Sequence, residues 1–263
     1  MLKSLKLKPR LIISDWDETI TVKDTIRLVA ETAYIFKPDC TPSFDHFQKV
    51  YLDSYANYQD SFGKRDTLHR EIEFLNGLRS VENSSIDSIV EHKIFQGLTP
   101  DQFKSQAPKI VLRPGFIDFL KTSQKLEIPF VILSANWTSI IIIECLRLNG
   151  ITVDNDKIKV ITNELEFKQE NGELVTTGEW DKKRVIRISQ DKLRIVRELK
   201  KEEEEELIYI GDSSNDLLPL LESDIGCAIK DTKLASMLNS LGLIKDNKYH
   251  IGTWSDFIQL LLK

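Results

Sequence analysis

Cysteine, methionine and glycine are scarce in this chain of 263 residues, which holds three, two and eleven of them. Cys40, Cys145 and Cys227 are scattered and form no CxxC pair, so neither a disulfide framework nor a zinc site is expected. Long apolar runs are missing too. The longest, Ile140–Cys145, is interrupted by Glu144 and falls far short of the roughly 18 residues a membrane span needs. There is no excess of positive charge, the formal balance being −5, so neither a nucleic-acid nor a membrane partner is expected. No GxGxxG and no GxxxxGK[ST] occurs, which removes the dinucleotide fingerprint and the P-loop. The N-terminal MLKSLKLKPR is basic but lacks an apolar core and a cleavage site; it reads as a polar tail, and the expected address is cytoplasmic.

What is present is the composition of a soluble globular protein, 41% apolar and 29% charged. Residues 11–14 form a short apolar run that ends at Asp15, as a buried strand does. From Asp24, a plausible helix N-cap, to about Gln106 the apolar residues recur at helical spacing (Ile26, Val29, Ala30, Ala33; later Leu68, Ile72, Leu75). This is read as a helical insert, broken near 37–43, at Gly63 and over 76–85. After the turn Leu112-Arg-Pro-Gly115 come a helix (116–125), a strand (PFVIL), a helix closed by Asn149-Gly150, and a strand over 158–162. Asn171-Gly172 between two strand-like runs is the strongest short hairpin signal. A helix over 191–201, a strand Leu207–Ile210, a helix Asp216–Ser223 and a last short strand Gly226–Ile229 complete the reading. The run Lys200–Glu206 is read as a solvated helix end. Strands alternating with helices predict an α/β fold with a parallel sheet.

In an open α/β sheet, ligands bind beyond the carboxyl ends of the strands. That rule gathers Asp15 and Asp17, Ser134 and Asn136, and Asp212, Asn215 and Asp216 on one edge. Lys192 is expected there as well, because the helix that feeds the fourth strand begins on that edge; Lys182 and Lys183 are its rivals. A lysine at a helix N-terminus opposes the dipole, so a nearby carboxylate cluster is the natural reason for it. Such a set suits Mg²⁺, which shares its shell with water and phosphate. The four histidines lie in the insert and near the C-terminus, which disfavours zinc and a serine–histidine triad. An aspartate can attack phosphorus, and a second carboxylate two residues on can move the proton. On extended chain i and i+2 share a side, so Asp15 and Asp17 can act together while Trp16 points away.

DxDxT (Asp15, Asp17, Thr19), Ser134, Lys192 and GDSxND (Gly211–Asp216), in this order, resemble the four motifs of the haloacid dehalogenase-like hydrolases. The match spans most of residues 8–23 and 111–263. It implies a Rossmann-like three-layer core over 1–23 and 111–263, with an α-helical cap of the phosphoserine-phosphatase type inserted over 24–110. Within the family, LSANW, NGELVTTGEW and YIGDSSNDLLPLLESDIG look most like the phosphatase domain of plant thiamine-monophosphate phosphatases. The resemblance implies an Mg²⁺-dependent phosphatase acting on a small phosphorylated metabolite through an aspartyl-phosphate. Asp15 would be nucleophile and metal ligand, and Asp17 acid/base with its carbonyl on the metal. Asp212 would be a further ligand, and Asp216 would support the metal. Ser134 would bind phosphoryl oxygens and Lys192 would neutralise charge.

Thr19, Asn136 and Glu18 are expected on the substrate side. Glu18 departs from the glycine or serine of many relatives and adds a carboxylate that would favour a cationic substrate. Trp137 or Trp180 would suit such a cation, and Arg65, His69 and Arg70 of the insert are further candidates, although core or hairpin packing is the more common role for the tryptophans and a solvated helix face the readier explanation of the other three. A phosphotransferase or phosphomutase on the same site, and a non-catalytic phospholigand-binding module, are the alternative functions. Relatives include monomers and dimers.

Overall fold

The computed structural model describes residues 9–200 and 206–262. Among these, six strands form one all-parallel sheet in the order β3-β2-β1-β6-β7-β8: β1 Leu11–Ser14, β2 Phe130–Leu133, β3 Ile158–Ile161, β6 Leu207–Gly211, β7 Ile225–Ile229 and β8 Tyr249–Gly252. The chain builds outward from β1 through β2 to β3, then returns to lay β6 against the other side of β1. The order therefore reverses between β1 and β6, the place where α/β sheets open a crevice.

Side-chain alternation makes the three layers. Ile12, Phe130, Ile132, Ile208 and Ile210 face one core with α6 (Phe116–Lys125), α7 (Ser139–Leu148) and α11 (Trp254–Leu261). Ile13, Val131, Leu133 and Tyr209 face the other, with α8 (Ser189–Leu199), α9 (Leu217–Glu222) and α10 (Lys233–Ser240). Period-two alternation in apolar strands buried on both faces is what a helix-covered parallel sheet requires.

Between β1 and β2 run α1 (Ile26–Phe36), α2 (Phe44–Phe62), α3 (Leu68–Gly77), α4 (Arg79–Glu91) and the short α5 (Pro100–Lys104). The chain leaves and re-enters the core at adjacent points: Thr21 bridges Leu112, Val22 N donates to Val111 O at 2.8 Å and Arg113 N to Ile20 O at 2.7 Å. The hairpin, β4 Leu165–Glu170 and β5 Glu173–Trp180, turns at Asn171 and Gly172, both at positive φ, as the Asn-Gly signal required. Its second strand holds the end of the insert, Thr176 N donating to Leu98 O and Gly97 N to Thr176 O. Arg79 on α4 reaches Asp191 on α8 at 2.6 Å.

Four details differ from the sequence reading. The sheet does not end at β7, because Tyr249–Gly252 adds β8; only Gly252 of that strand is buried, so it carried no apolar run. The insert has no loop over 76–85, since only Leu78 separates α3 from α4. The N-cap of α1 is Thr25, while Asp24 accepts from Ile26 N just ahead of it. The helix expected at Asp216 opens as a 3-10 turn over Ser214–Asp216. The polar tail before Pro9, and the charge run from Lys201 to Glu205, lie outside the described residues.

Candidate active site

β1 delivers Asp15 to the carboxyl edge, its N–H donating to Ile210 O at 2.9 Å and so extending the β1–β6 ladder. The chain then turns sharply. Ile20 N and Thr21 N both return to Trp16 O, Arg113 Nε donates to Glu18 O at 2.9 Å, and Trp254 Nε1 to Thr19 O at 2.9 Å. Within this turn Glu18 has φ +55°, a left-handed conformation that a Cβ disfavours. Trp16 points away from the edge, fully buried, and its Nε1 donates to Thr25 Oγ1.

β6 delivers Asp212 and, through the 3-10 turn, Asp216. Gly211 is required at the end of β6: a Cβ there would lie 2.5 Å from the Asp216 side chain. Asp216 Oδ1 accepts from Lys192 Nζ at 2.7 Å and from Tyr209 Oη at 2.7 Å; Oδ2 accepts from the N–H groups of Asp212 and Ser213 and from Ser213 Oγ. Lys192 Nζ also lies 2.9 Å from Asp15 Oδ1, and the lysine is 1% exposed. The ammonium thus bridges β1 and β6 from the start of α8. Asp191 beside it receives the N–H groups of Arg187 and Ile188, which closes the helix N-terminus next to the misplaced cation.

Ligand-capable oxygens of Asp15, Asp212 and Asp216 all lie within 4.8 Å of one another. Burial and the Asp216 charge hold Asp15 well above the usual carboxylate range, against the pull of Lys192. Burial and Asp216 likewise raise Asp212 to about 7. Asp216 goes the other way: burial opposes its charge, but Lys192, Tyr209 and the backbone donors hold it below the ordinary range. Lys192 is raised above its usual value, its desolvation outweighed by Asp15 and Asp216.

This donor set suits a hard divalent cation. It is all carboxylate, and the hydrogen bonds described engage only Oδ1 of Asp15 and only Oδ1 of Asp212, which receives Thr19 Oγ1 at 2.7 Å. Asp216 is saturated by five donors and so belongs behind the other two. No hydrogen bond described here involves the Asp17 main-chain carbonyl. No histidine or cysteine joins the cluster among the described residues.

Asp17 is partly buried, with Oδ1 accepting from Thr25 N at 2.7 Å and Thr25 Oγ1 at 2.5 Å, and Oδ2 from Asn136 Nδ2 at 3.0 Å. Burial raises its pKa although each of these donors lowers it. Ser134 Oγ accepts from Asn136 N at 2.9 Å, which leaves its own proton for another acceptor.

Asp15, Asp17, Glu18, Ser134, Lys192 and Asp212 all line one cavity of about 610 Å³. Asn136 and Thr19 do not: both are fully buried, Asn136 tied to Asp17 and Thr19 to Asp212. Lys182 is exposed and pairs with Glu179. In the insert, Arg65 pairs with Glu71, and His69 and Arg70 with Glu73; none of the three lines the cavity. Trp137 touches the cavity but is only 8% exposed and packs edge-on against Phe44, Phe95 and Trp180. Ser213 and Asn215 also reach the wall.

Several contributors carried no sequence signal. Tyr209 alternates like a core residue, yet its hydroxyl serves Asp216. Thr25 reads as a cap and also fixes Asp17. Glu82, Tyr51 and Arg187 face the cavity from segments that show no motif.

The model of the haloacid dehalogenase-like hydrolases matches residues 12–222. Cold tolerance protein 1 of Saccharomyces cerevisiae is 29% identical over 246 residues, covering 80% of this chain and 75% of the yeast protein. Bifunctional TH2 protein, mitochondrial, of Arabidopsis thaliana is 27% identical over 263 residues, covering 88% of this chain; the chain spans only 41% of that protein. Among solved structures, a substrate-bound phosphoserine phosphatase superposes with a TM-score of 0.58 at 14% identity, covering 97% of this chain and 99% of the other. The chain belongs to the haloacid dehalogenase-like hydrolases, an enzyme family, and shares its fold with the phosphoserine phosphatase.

Proposed function

We propose that the chain is an Mg²⁺-dependent phosphomonoester hydrolase that works through an aspartyl-phosphate on Asp15. The observation that carries this reading is the Lys192 ammonium held between Asp15 and Asp216, with Asp212 beside them and Ser134 in the same cavity. Asp15, Asp212 and the Asp17 carbonyl would hold the cation, with Asp216 bracing them. Its charge would lower the repulsion between Asp15 and a phosphate dianion.

Asp15 attacks phosphorus, the P–O bond to the leaving group breaks, and Asp17 gives its proton to the departing oxygen. The raised pKa of Asp17 favours the protonated acid this step needs. Asp17 then takes a proton from water, the water oxygen bonds to phosphorus, and inorganic phosphate leaves with Asp15 restored. Thr25 and Asn136 fix the Asp17 carboxyl, Lys192 and Ser134 balance developing charge on the phosphoryl oxygens, and Thr19 holds Asp212. Residues 24–110 act as a cap over a core of residues 1–23 and 111–263, reading the leaving group and excluding water. The substrate is a small phosphorylated metabolite, and thiamine monophosphate is the candidate that the motif resemblance favours.

Phosphate release from a panel of metabolite phosphates, with Mg²⁺ and with chelator, tests the reading. Release that needs Mg²⁺ and vanishes in Asp15→Asn supports it. Transfer to an added alcohol outpacing release to water would replace hydrolysis by phosphotransfer. Tight binding of a phosphate ester without turnover would make the chain a binding module.

A further inference from the structure

The cavity extends well beyond the reacting groups. Its far wall belongs to the insert and is mostly apolar, with aliphatic residues such as Leu52, Ile86 and Ile89 beside the aromatic Phe44, Tyr51 and Tyr55 of α2, whose Tyr51 and Tyr55 rings stack at 6.1 Å and 25°. Two ionisable groups that the proposed chemistry does not use face the same space, Glu82 from this wall and Arg187 from the loop between β5 and α8. Glu82 of α4 is partly buried, and Tyr51 Oη donates to its Oε1 at 3.2 Å; no bond described here engages Oε2. Arg187 is 7% exposed. Its five N–H donors find, among the described residues, one weak acceptor, Ile186 O at 3.5 Å, and the Trp180 ring at 5.7 Å.

Glu82 and Arg187 feel each other's charge, yet no ion pair joins them among the described residues. Among the described residues no guanidinium nitrogen of Arg187 is both buried and unpaired, so the donors without a protein acceptor open onto the cavity, where water or a bound molecule reaches them. Both groups face the same space, so a bound molecule is the natural partner. An acceptor is needed opposite Arg187 and a donor opposite Glu82, with a flat body to lie against the tyrosines. A volume near 610 Å³ is the size of a metabolite site, and an alcohol as small as serine or glycerol would leave most of it empty.

We propose that Glu82, Arg187 and Tyr51 form the recognition site for the leaving group, and that the leaving group is a flat heterocycle with a hydrogen-bond donor and an acceptor on one edge. An aminopyrimidine is the simplest such edge. The proposal rests on the phosphomonoesterase reading and adds the substrate class to it.

The test compares kcat/KM for thiamine monophosphate and cytidine 5′-monophosphate, which carry an aminopyrimidine edge, with that for glycerol 3-phosphate and phenyl phosphate, which do not. In the unaltered enzyme the better edge-bearing ester should exceed both controls by about a hundredfold or more, since a site built to hydrogen-bond rejects analogues that cannot. Glu82→Gln and Arg187→Met should each lower that ratio by about tenfold, chiefly through KM. If either variant folds poorly, Tyr51→Phe, which removes one hydroxyl, should still lower the ratio severalfold. Equal turnover of all four esters, or a ratio unmoved by these substitutions, would overturn the subsite while leaving the hydrolase intact. Failure to hydrolyse any of them would overturn the reaction reading and the subsite with it.

Discussion

The two ends of the cavity are built on opposite principles. The sheet edge packs three carboxylates and one ammonium into a buried cluster in which Asp216 is satisfied five times over. The helical wall is apolar and partly aromatic, and two ionisable groups, Glu82 on it and Arg187 on the loop before α8, open hydrogen-bonding atoms onto the cavity. The first arrangement suits chemistry common to every phosphate ester, where charges must be fixed before the substrate arrives. The second suits selection, because unsatisfied groups discriminate between molecules that complete them and molecules that do not.

Breaking the sheet edge should have the largest effect. Asp15→Asn should reduce turnover by at least about a thousandfold, since it removes the proposed nucleophile. Its thermal midpoint should match or exceed that of the unaltered protein, because one of three crowded carboxylates is gone; paired activity and melting measurements check both. Lys192→Met should lose activity and stability together. It leaves Asp15 and Asp216 buried without their cation, a defect that typically costs about 3–5 kcal/mol, readable by denaturant unfolding.

Next in size is the response to Mg²⁺ and pH. A carboxyl raised in the folded state binds its proton more tightly there than in the unfolded chain. Asp212, raised to about 7, therefore destabilises the metal-free fold progressively as pH climbs from near 4 towards 7. Added Mg²⁺ should raise the melting temperature more at pH 7.5 than at pH 5.5, where protons compete for the same oxygens. Equal shifts at both pH values would show that the cation does not bind at Asp212.

On the helical wall, Tyr55→Ala should lower kcat/KM for the best substrate by about tenfold while changing glycerol 3-phosphate turnover much less. Smallest of all, Glu18→Gly should add up to about 1 kcal/mol of stability by relieving a left-handed residue.

The same contrast governs what could be read from the sequence. The sheet edge was legible because its residues follow a strand end within a few positions or open a helix, so local pattern and one topological rule bring Asp15, Asp17, Ser134, Lys192, Asp212 and Asp216 together. The direction of a side chain was less legible. Thr19 and Asn136 sit in the right segments but turn behind the carboxylates, which depends on how the Trp16–Thr21 turn and the Ser134–Trp137 loop close. The helical wall was illegible, because Tyr51, Glu82 and Arg187 meet only when α2 and α4 pack over the core, and no spacing in the chain encodes that contact. Strand β8 escaped notice for a simpler reason: a half-exposed YHIG lacks the apolar run that marked its neighbours.

The measurement that tests the central claim most directly is the location of the phosphoryl group during turnover. The protein would be mixed with Mg²⁺ and its best ester, quenched in acid within the first turnover, digested and examined by mass spectrometry. The account predicts a phosphoryl adduct on the peptide containing Asp15, absent from Asp15→Asn. Rapid turnover with no adduct on that peptide, or undiminished turnover in Asp15→Asn, would contradict it.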